Sequence, residues 1–278
     1  MKQDNKIEDK KYKLYKSVRE ILHPAISKKN ISNYKIILKE EILPIRIFYP
    51  KKVTNLEKII IYVQGNKNIL NNDYSKILSS FSKDLDKMVI SIDYDENLSF
   101  EEQINSIYET YKYIYDGLNT NGLDTKNITL VGDSTGSTII LNFINKMIQD
   151  KKDDVRLILL CPALINSDKN EEISPIDYEM ENDIRKYYKE KIGKKNIEMT
   201  NIIKNNYKGI TRFPNTLIIC GNVDPLLNEV KELSKTFSNI DLKLISFASH
   251  NFINSKDKEV IKEYKNILNE FFKEENYS

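Results

Sequence analysis

From residue 35 onward, short apolar runs rich in β-branched residues alternate with longer segments whose apolar positions recur every three or four residues. The short runs are Ile36 to Lys39, Ile42 to Phe48, Ile59 to Val63, Met88 to Ile92, Ile128 to Val131, Val155 to Leu160, Thr216 to Cys220 and Leu242 to Ser246. This alternation predicts an α/β fold: a mostly parallel, eight-stranded sheet with helices on both faces, the first two strands lying close enough to form a hairpin. Helical spacing is plain at Ile104, Ile107, Tyr108, Tyr111, Ile114, Tyr115 and Leu118, and again at Val260, Ile261, Tyr264, Ile267, Leu268 and Phe271. These aromatic stripes read as surfaces packed on the sheet rather than as a cofactor box.

Two segments stand outside the alternation. Residues 1 to about 30 precede the first strand, and residues 167 to about 210 separate two strands by far more than an ordinary βα connection. The second carries Tyr178, Met180, Tyr187, Tyr188, Ile192, Met199 and Tyr207 among many charges, which suggests amphipathic helices. Both are expected to pack as a helical cap over the C-terminal edge of the sheet, within a single domain spanning 1–278.

Composition narrows the function classes. The 278 residues suffice for a core without staples. Charge is nearly balanced, 43 basic against 41 acidic residues for a formal net charge of +2, which argues against nucleic acid as a partner. Cys161 and Cys220 each end an apolar run, with no metal-site or disulfide spacing, and are expected to be buried free thiols in a reducing compartment. The run from Met1 to Lys13 has no apolar stretch of signal-peptide type, and no membrane span is visible, so a cytoplasmic protein is expected.

Residues 132–136 read Gly-Asp-Ser-Thr-Gly, after the β-type run Ile128 to Val131 and before a helical run starting at about Ser137. That is the setting of a G-x-S-x-G nucleophile elbow, in which a sharp strand-to-helix turn strains the serine backbone and small neighbours let the chains close around it. Ser134 is the candidate nucleophile. A serine hydroxyl needs a base, and the base needs an orienting group. Of the two histidines, His23 lies before the sheet, whereas His250 follows the last strand in a loop, Ala248-Ser-His-Asn-Phe252. Asp224, in Gly221-Asn-Val-Asp-Pro-Leu226, ends the strand before it and is the candidate third member. A second reading of Asp224 is the N-cap of the following helix, and the two roles are compatible. The backbone N–H of Thr135, next to the nucleophile, is a candidate oxyanion donor.

The order Ser134, Asp224, His250 and these contexts resemble the α/β-hydrolase fold, and more closely the hormone-sensitive-lipase-like esterases, over roughly residues 36–272. Gly132-Asp-Ser-Thr-Gly136 is similar to that family's elbow, and Asp224-Pro-Leu followed by Glu229 is similar to its acid loop. Ile92-Asp-Tyr94 resembles its Asp-Tyr, with Asp95 where an Arg is expected, and Lys58 to Gly65 resembles the strand entering its His-Gly-Gly oxyanion loop. The resemblance implies Gly65 and Asn66 as further oxyanion-loop residues. The loop departs from the pattern in reading Gln64-Gly65-Asn66-Lys67: the histidine is Gln64, and Asn66 and Lys67 stand at glycine positions. Asp133 is expected to serve local structure, and Glu229 to be a helix residue either at the surface or directly behind the reacting groups.

These readings point to a serine ester hydrolase acting on small carboxylic esters through an acyl-enzyme, without metal or organic cofactor, as a monomer or homodimer. A hydrolase of short peptides or amides stands as an alternative within the class. The altered 64–67 loop motivates another: a small-molecule binder with little or no turnover.

Overall fold

A computed structural model describes residues 31–38, 41–50, 58–65, 73–165 and 213–273, with single helical positions at 182, 183, 186 and 190. Among the described residues eight strands form one sheet: β1 (Ile31–Leu38), β2 (Glu41–Phe48), β3 (Ile59–Val63), β4 (Met88–Ile92), β5 (Ile128–Asp133), β6 (Arg156–Leu160), β7 (Thr216–Gly221) and β8 (Ile240–Ile245). Their spatial order is β1-β2-β4-β3-β5-β6-β7-β8. β1 and β2 make the expected antiparallel hairpin, β2 pairs antiparallel with β4, and all later neighbours pair parallel.

Two strands start two or more residues earlier than the apolar pattern indicates. β1 begins at Ile31 rather than Ile36, because Ile31 to Lys35 find ladder partners in Pro44 to Phe48 despite the polar Ser32, Asn33 and Lys35. β8 begins at Ile240 because Ile240 and Asp241 pair with Thr216 and Leu217. Backbone pairing, not side-chain polarity, sets those ends.

Parallel neighbours require crossovers. Among the described residues these include α1 (Tyr74–Leu85) from β3 to β4, α2 (Phe100–Thr120) from β4 to β5, α3 (Thr135–Gln149) from β5 to β6 and α4 (Leu227–Thr236) from β7 to β8, with α5 (Lys258–Lys273) following β8. Their boundaries have local causes. The Asp73 carboxylate accepts the Lys76 N–H at the start of α1, and Ser99 and Glu102 form a reciprocal capping box on α2. α1 ends at Asp86, in left-handed conformation at φ 50°, whose N–H returns to the Ser82 carbonyl.

β3, β4, β5 and β7 are buried at every position, as strands covered on both faces must be. The tyrosine stripe of α2 packs on α3, with the Tyr108 and Tyr111 rings 5.3 and 6.0 Å from that of Phe143. Their hydroxyls reach the core margin, donating to the carbonyls of Lys146 and Lys152 at 3.0 and 2.6 Å. The stripe is therefore packing surface, as its spacing predicts.

One topological feature prepares a site. The chain leaves β3 for β4 on one side, then returns through α2 to β5 on the other, so the loops after β3 and β5 diverge at their C-terminal ends. Open α/β sheets bind ligands in the crevice such a reversal leaves. The expected cap, 1–30 and 167–210, lies outside the described residues apart from the four single helical positions. Among the described residues, no helix is long and apolar enough to cross a membrane.

Candidate active site

Ser134 sits between the last residue of β5 and the first of α3, at φ 48° and ψ −118°. A positive φ costs a non-glycine residue about 1–3 kcal/mol, so the surroundings must hold it there. They do so from β6: the Ser134 N–H donates to the Leu160 carbonyl at 2.9 Å, and the Ser134 carbonyl accepts the Ala163 N–H at 3.2 Å. Ser137 closes the turn by donating its hydroxyl to the Gly132 carbonyl at 2.6 Å. Gly136 is required by close approach, since a Cβ there would lie 2.3 Å from the Val63 carbonyl oxygen at the end of β3. The helix starts at Thr135, two residues earlier than its apolar pattern suggests, which puts the Thr135 N–H in the first turn at the positive end of the helix dipole.

The acid and the base come from neighbouring strand ends. Asp224 lies in the turn after β7, its N–H donating to the Gly221 carbonyl at 3.2 Å. Its Oδ1 accepts the Leu226 N–H at 2.8 Å. The capping alternative for Asp224 is corrected here: α4 starts at Leu227 with Leu226 as its cap residue and no side-chain cap, so the carboxylate braces the turn ahead of the helix. The loop after β8 is stitched to this turn by the Asn222 N–H to the Ile245 carbonyl, 3.0 Å, and the Val223 N–H to the Ala248 carbonyl, 3.2 Å. His250 is thereby carried between Asp224 and Ser134. Its Nδ1 lies 2.9 Å from Asp224 Oδ2, and its Nε2 lies 2.9 Å from Ser134 Oγ. All three side chains are buried.

The charges follow from this setting. Burial works against an ionised Asp224, but the adjacent His250, together with hydrogen bonds from His250, the Leu226 N–H and Cys220, outweighs it and holds the carboxyl below the usual range. With the Nδ1 proton directed at that carboxylate, Nε2 is left as an acceptor facing the serine hydroxyl. Cys161 and Cys220 are buried free thiols, as expected, and burial followed by the Asp224 charge pushes both well above the usual thiol value. Cys161, Asp224 and His250 are the types that ligate metals, with atoms within 4.8 Å of one another. An ion bound at Nδ1 and Oδ2 would have to break the Asp224–His250 hydrogen bond, so the two arrangements exclude each other.

The loop after β3 is held from two sides. The buried Gln64 amide nitrogen donates to Ser91 Oγ at 2.5 Å and to Asp93 Oδ1 at 2.8 Å. Arg46 of β2 in turn neutralises Asp93, with Nε 2.7 Å from Oδ2. The Tyr94 hydroxyl donates to the Gln64 carbonyl at 3.0 Å. Gly65 donates its N–H to Asp133 Oδ1 at 2.9 Å, so this expected oxyanion donor is engaged by a carboxylate and ties the loop to the elbow. Asn66 and Lys67 lie outside the described residues. Sequence reading missed the latch made by Gln64, Ser91, Asp93 and Arg46, whose trace was the Gln at the family's histidine position. It also missed Gly221 and Cys220, whose position at the strand end before Asp224 was the available signal.

Asp133 serves local structure, and its burial makes it pH-sensitive. Loss of hydration raises its pKa to about 6 even though the Tyr74 hydroxyl, at 2.6 Å, and the Gly65 N–H favour the anion. The folded state therefore keeps this proton over a window, from the ordinary carboxylate range up to about pH 6, in which the unfolded chain has lost it. Stability falls as pH rises through that window, by up to about 3 kcal/mol. Asp224 has the opposite sign: its contribution is present above the unfolded carboxylate pKa and is lost as pH falls below it. Urea titrations from pH 4 to 7 will show the decline in the wild type and a flatter curve in Asp133→Asn. An unchanged slope in that variant would assign the decline to another group.

A family profile described as alpha/beta hydrolase fold matches residues 62–251. Arylacetamide deacetylase from Rattus norvegicus is 26% identical over 140 residues, which is 46% of this chain and 35% of that protein. The corresponding protein from Mus musculus is 27% identical over the same shares, so the aligned segment spans about a third of these relatives. Among solved structures, an esterase from Pyrobaculum calidifontis superposes with a TM-score of 0.71 at 16% identity, covering 92% of this chain and 89% of that one. An arylesterase gives 0.71 at 16% identity, covering 93% and 91%. An esterase from the bacterial hormone-sensitive lipase family gives 0.67 at 16% identity, covering 91% and 89%.

Proposed function

The chain belongs to the alpha/beta hydrolase fold family, and from that premise we propose that it is a serine ester hydrolase acting on small carboxylic esters through an acyl-enzyme. The observation that carries the reading is the unbroken line from Ser134 Oγ through His250 to Asp224 Oδ2, with both links at 2.9 Å. A fold alone selects no chemistry, whereas this constellation is what activation of a serine hydroxyl requires.

In the first half-reaction Ser134 Oγ attacks the ester carbonyl carbon while His250 Nε2 takes the hydroxyl proton. The resulting imidazolium is stabilised by Asp224, which also keeps the ring oriented through Nδ1. The carbonyl oxygen, now an oxyanion, is received by the Thr135 N–H. Collapse expels the alcohol, which leaves with the proton from Nε2. Water then attacks the acyl-enzyme as Nε2 takes its proton, and collapse releases the acid while that proton passes to the departing Ser134 Oγ. Because the Gly65 N–H is directed to Asp133, Gly65 acts by holding the loop to the elbow, and the Thr135 N–H is the donor to the oxyanion among the described residues.

A fluorophosphonate probe tests the nucleophile directly. The wild type is expected to be labelled, with the modified peptide containing Ser134. Absence of labelling, with no turnover of nitrophenyl esters from acetate to octanoate, would favour the binder alternative. The curated relatives are named arylacetamide deacetylases, which makes an acetylated aryl amine the specific second substrate class to set beside the esters. Faster turnover of the amide would transfer the assignment to amide hydrolysis with the same residues.

A further inference from the structure

Cys220 is the penultimate residue of β7, four residues before Asp224, and its Sγ lies 3.2 Å from Asp224 Oδ2, with both groups buried. That is the same oxygen that faces His250 Nδ1 at 2.9 Å. A carboxylate oxygen has two lone-pair directions, so the imidazole and the thiol can occupy both. Oδ1 is held by the Leu226 N–H at 2.8 Å. Three donors, from β7, the turn after it and the loop after β8, thus surround one carboxylate.

We propose that Cys220 is a positioning residue of the triad, its S–H donated to Oδ2 of Asp224 so that this oxygen stays turned toward His250 and shares its negative charge. The direction of the bond is dictated by chemistry: an ionised carboxylate has no hydrogen to give, and a thiol in this setting keeps its own. Burial and the Asp224 charge both disfavour a thiolate, so Cys220 is a neutral donor and not a nucleophile. The other ionisable groups around the pair are Cys161 after β6, likewise neutral, and Asp133 at the end of β5, whose charge acts on His250. Neither supplies a hydrogen bond to Oδ2 among those found in the structure.

The catalytic consequence rests on the serine-hydrolase reading, while the hydrogen bond can be observed without it. The chain has two cysteines, so the infrared S–H stretching region holds two bands, and Cys220→Ser removes one. The band removed is expected below the frequency of a thiol lacking an acceptor, and Asp224→Asn should shift it upward. A Cys220 band at the acceptor-free frequency overturns the proposal. In ester hydrolysis, Cys220→Ala is expected to lower kcat by about threefold to tenfold with KM unchanged. It should also move the acid limb of kcat/KM upward by about half a pH unit, because Asp224 without the thiol donor concentrates its charge toward His250 and favours the imidazolium, which cannot act as the base. Cys220→Ser, which keeps a donor, should restore both. Equal losses in the two variants with an unmoved acid limb would reduce Cys220 to packing and overturn the proposal. Full activity of Ser134→Ala would instead overturn the serine reading and leave the infrared result standing.

Discussion

Replacing Ser134 with alanine is expected to lower kcat/KM for a short-chain nitrophenyl ester by about 10⁴-fold or more, with substrate binding nearly unchanged. Removing a nucleophile from a triad leaves only what oxyanion donors and binding contribute over solution hydrolysis. His250 and Asp224 then have no proton to relay, so mutating either in the Ser134→Ala background should cost little further. That non-additivity separates a triad from three independently useful residues. The fold should survive, since alanine meets the same positive φ of 48° that the serine tolerates. Ser134→Gly should be equally inactive yet more thermostable, because glycine adopts that conformation without steric cost. The strain relieved is about 1–3 kcal/mol, set against about 0.5–1 kcal/mol of extra unfolded-chain entropy. Retention of more than a tenth of wild-type activity by Ser134→Ala would sink the mechanism. A Ser134→Gly variant less stable than alanine would show that the elbow is not strained.

Gly221→Ala is the second large effect, and it acts on no reacting atom. A Cβ at position 221 would lie 1.9 Å from the Ala248 carbonyl oxygen and 2.5 Å from its carbon. Both contacts are backbone, so no side chain can rotate away, and the loop carrying His250 must move. Displacing that loop stretches the 2.9 Å links from His250 to Asp224 and to Ser134 together. A misplacement of about 1 Å in a catalytic group costs about 10²-fold, so kcat should fall by at least that much. Overpacking of this kind also destabilises by about 1–3 kcal/mol, or more where backbone must shift. Fluorophosphonate labelling of the folded variant at 20 °C separates the effects: slow labelling of a protein that still unfolds cooperatively is expected. Wild-type labelling and turnover would mean the loop is not held by this contact.

Much of this was legible in the chain. Eight apolar runs became eight strands, most directly at β3, β4, β5 and β7, because a strand covered on both faces has no room for polar residues. Its sequence then shows burial directly. Ser134, Asp224 and His250 were legible for a related reason: each follows a strand, and strand ends are where this architecture turns side chains into a shared crevice. The interactions that set their environment were not legible. Gln64, 27 residues from Ser91 and 29 from Asp93, meets both only because β3 and β4 pair in register. Asp224 carried a second reading as a helix cap, and the placement of Leu226 and His250 separated the roles.

The sequence by itself determined the strand and helix alternation, the order of the three candidate catalytic residues and the elbow that strains one of them. All of these are patterns in local spacing and residue type. Tertiary structure alone decided that Gly65 gives its N–H to Asp133, that Cys220 shares an oxygen with His250, and that Gly221 leaves room for the histidine loop. Each depends on the distance between segments far apart in sequence. That distance is set by sheet register and packing of the whole core, which no local pattern encodes.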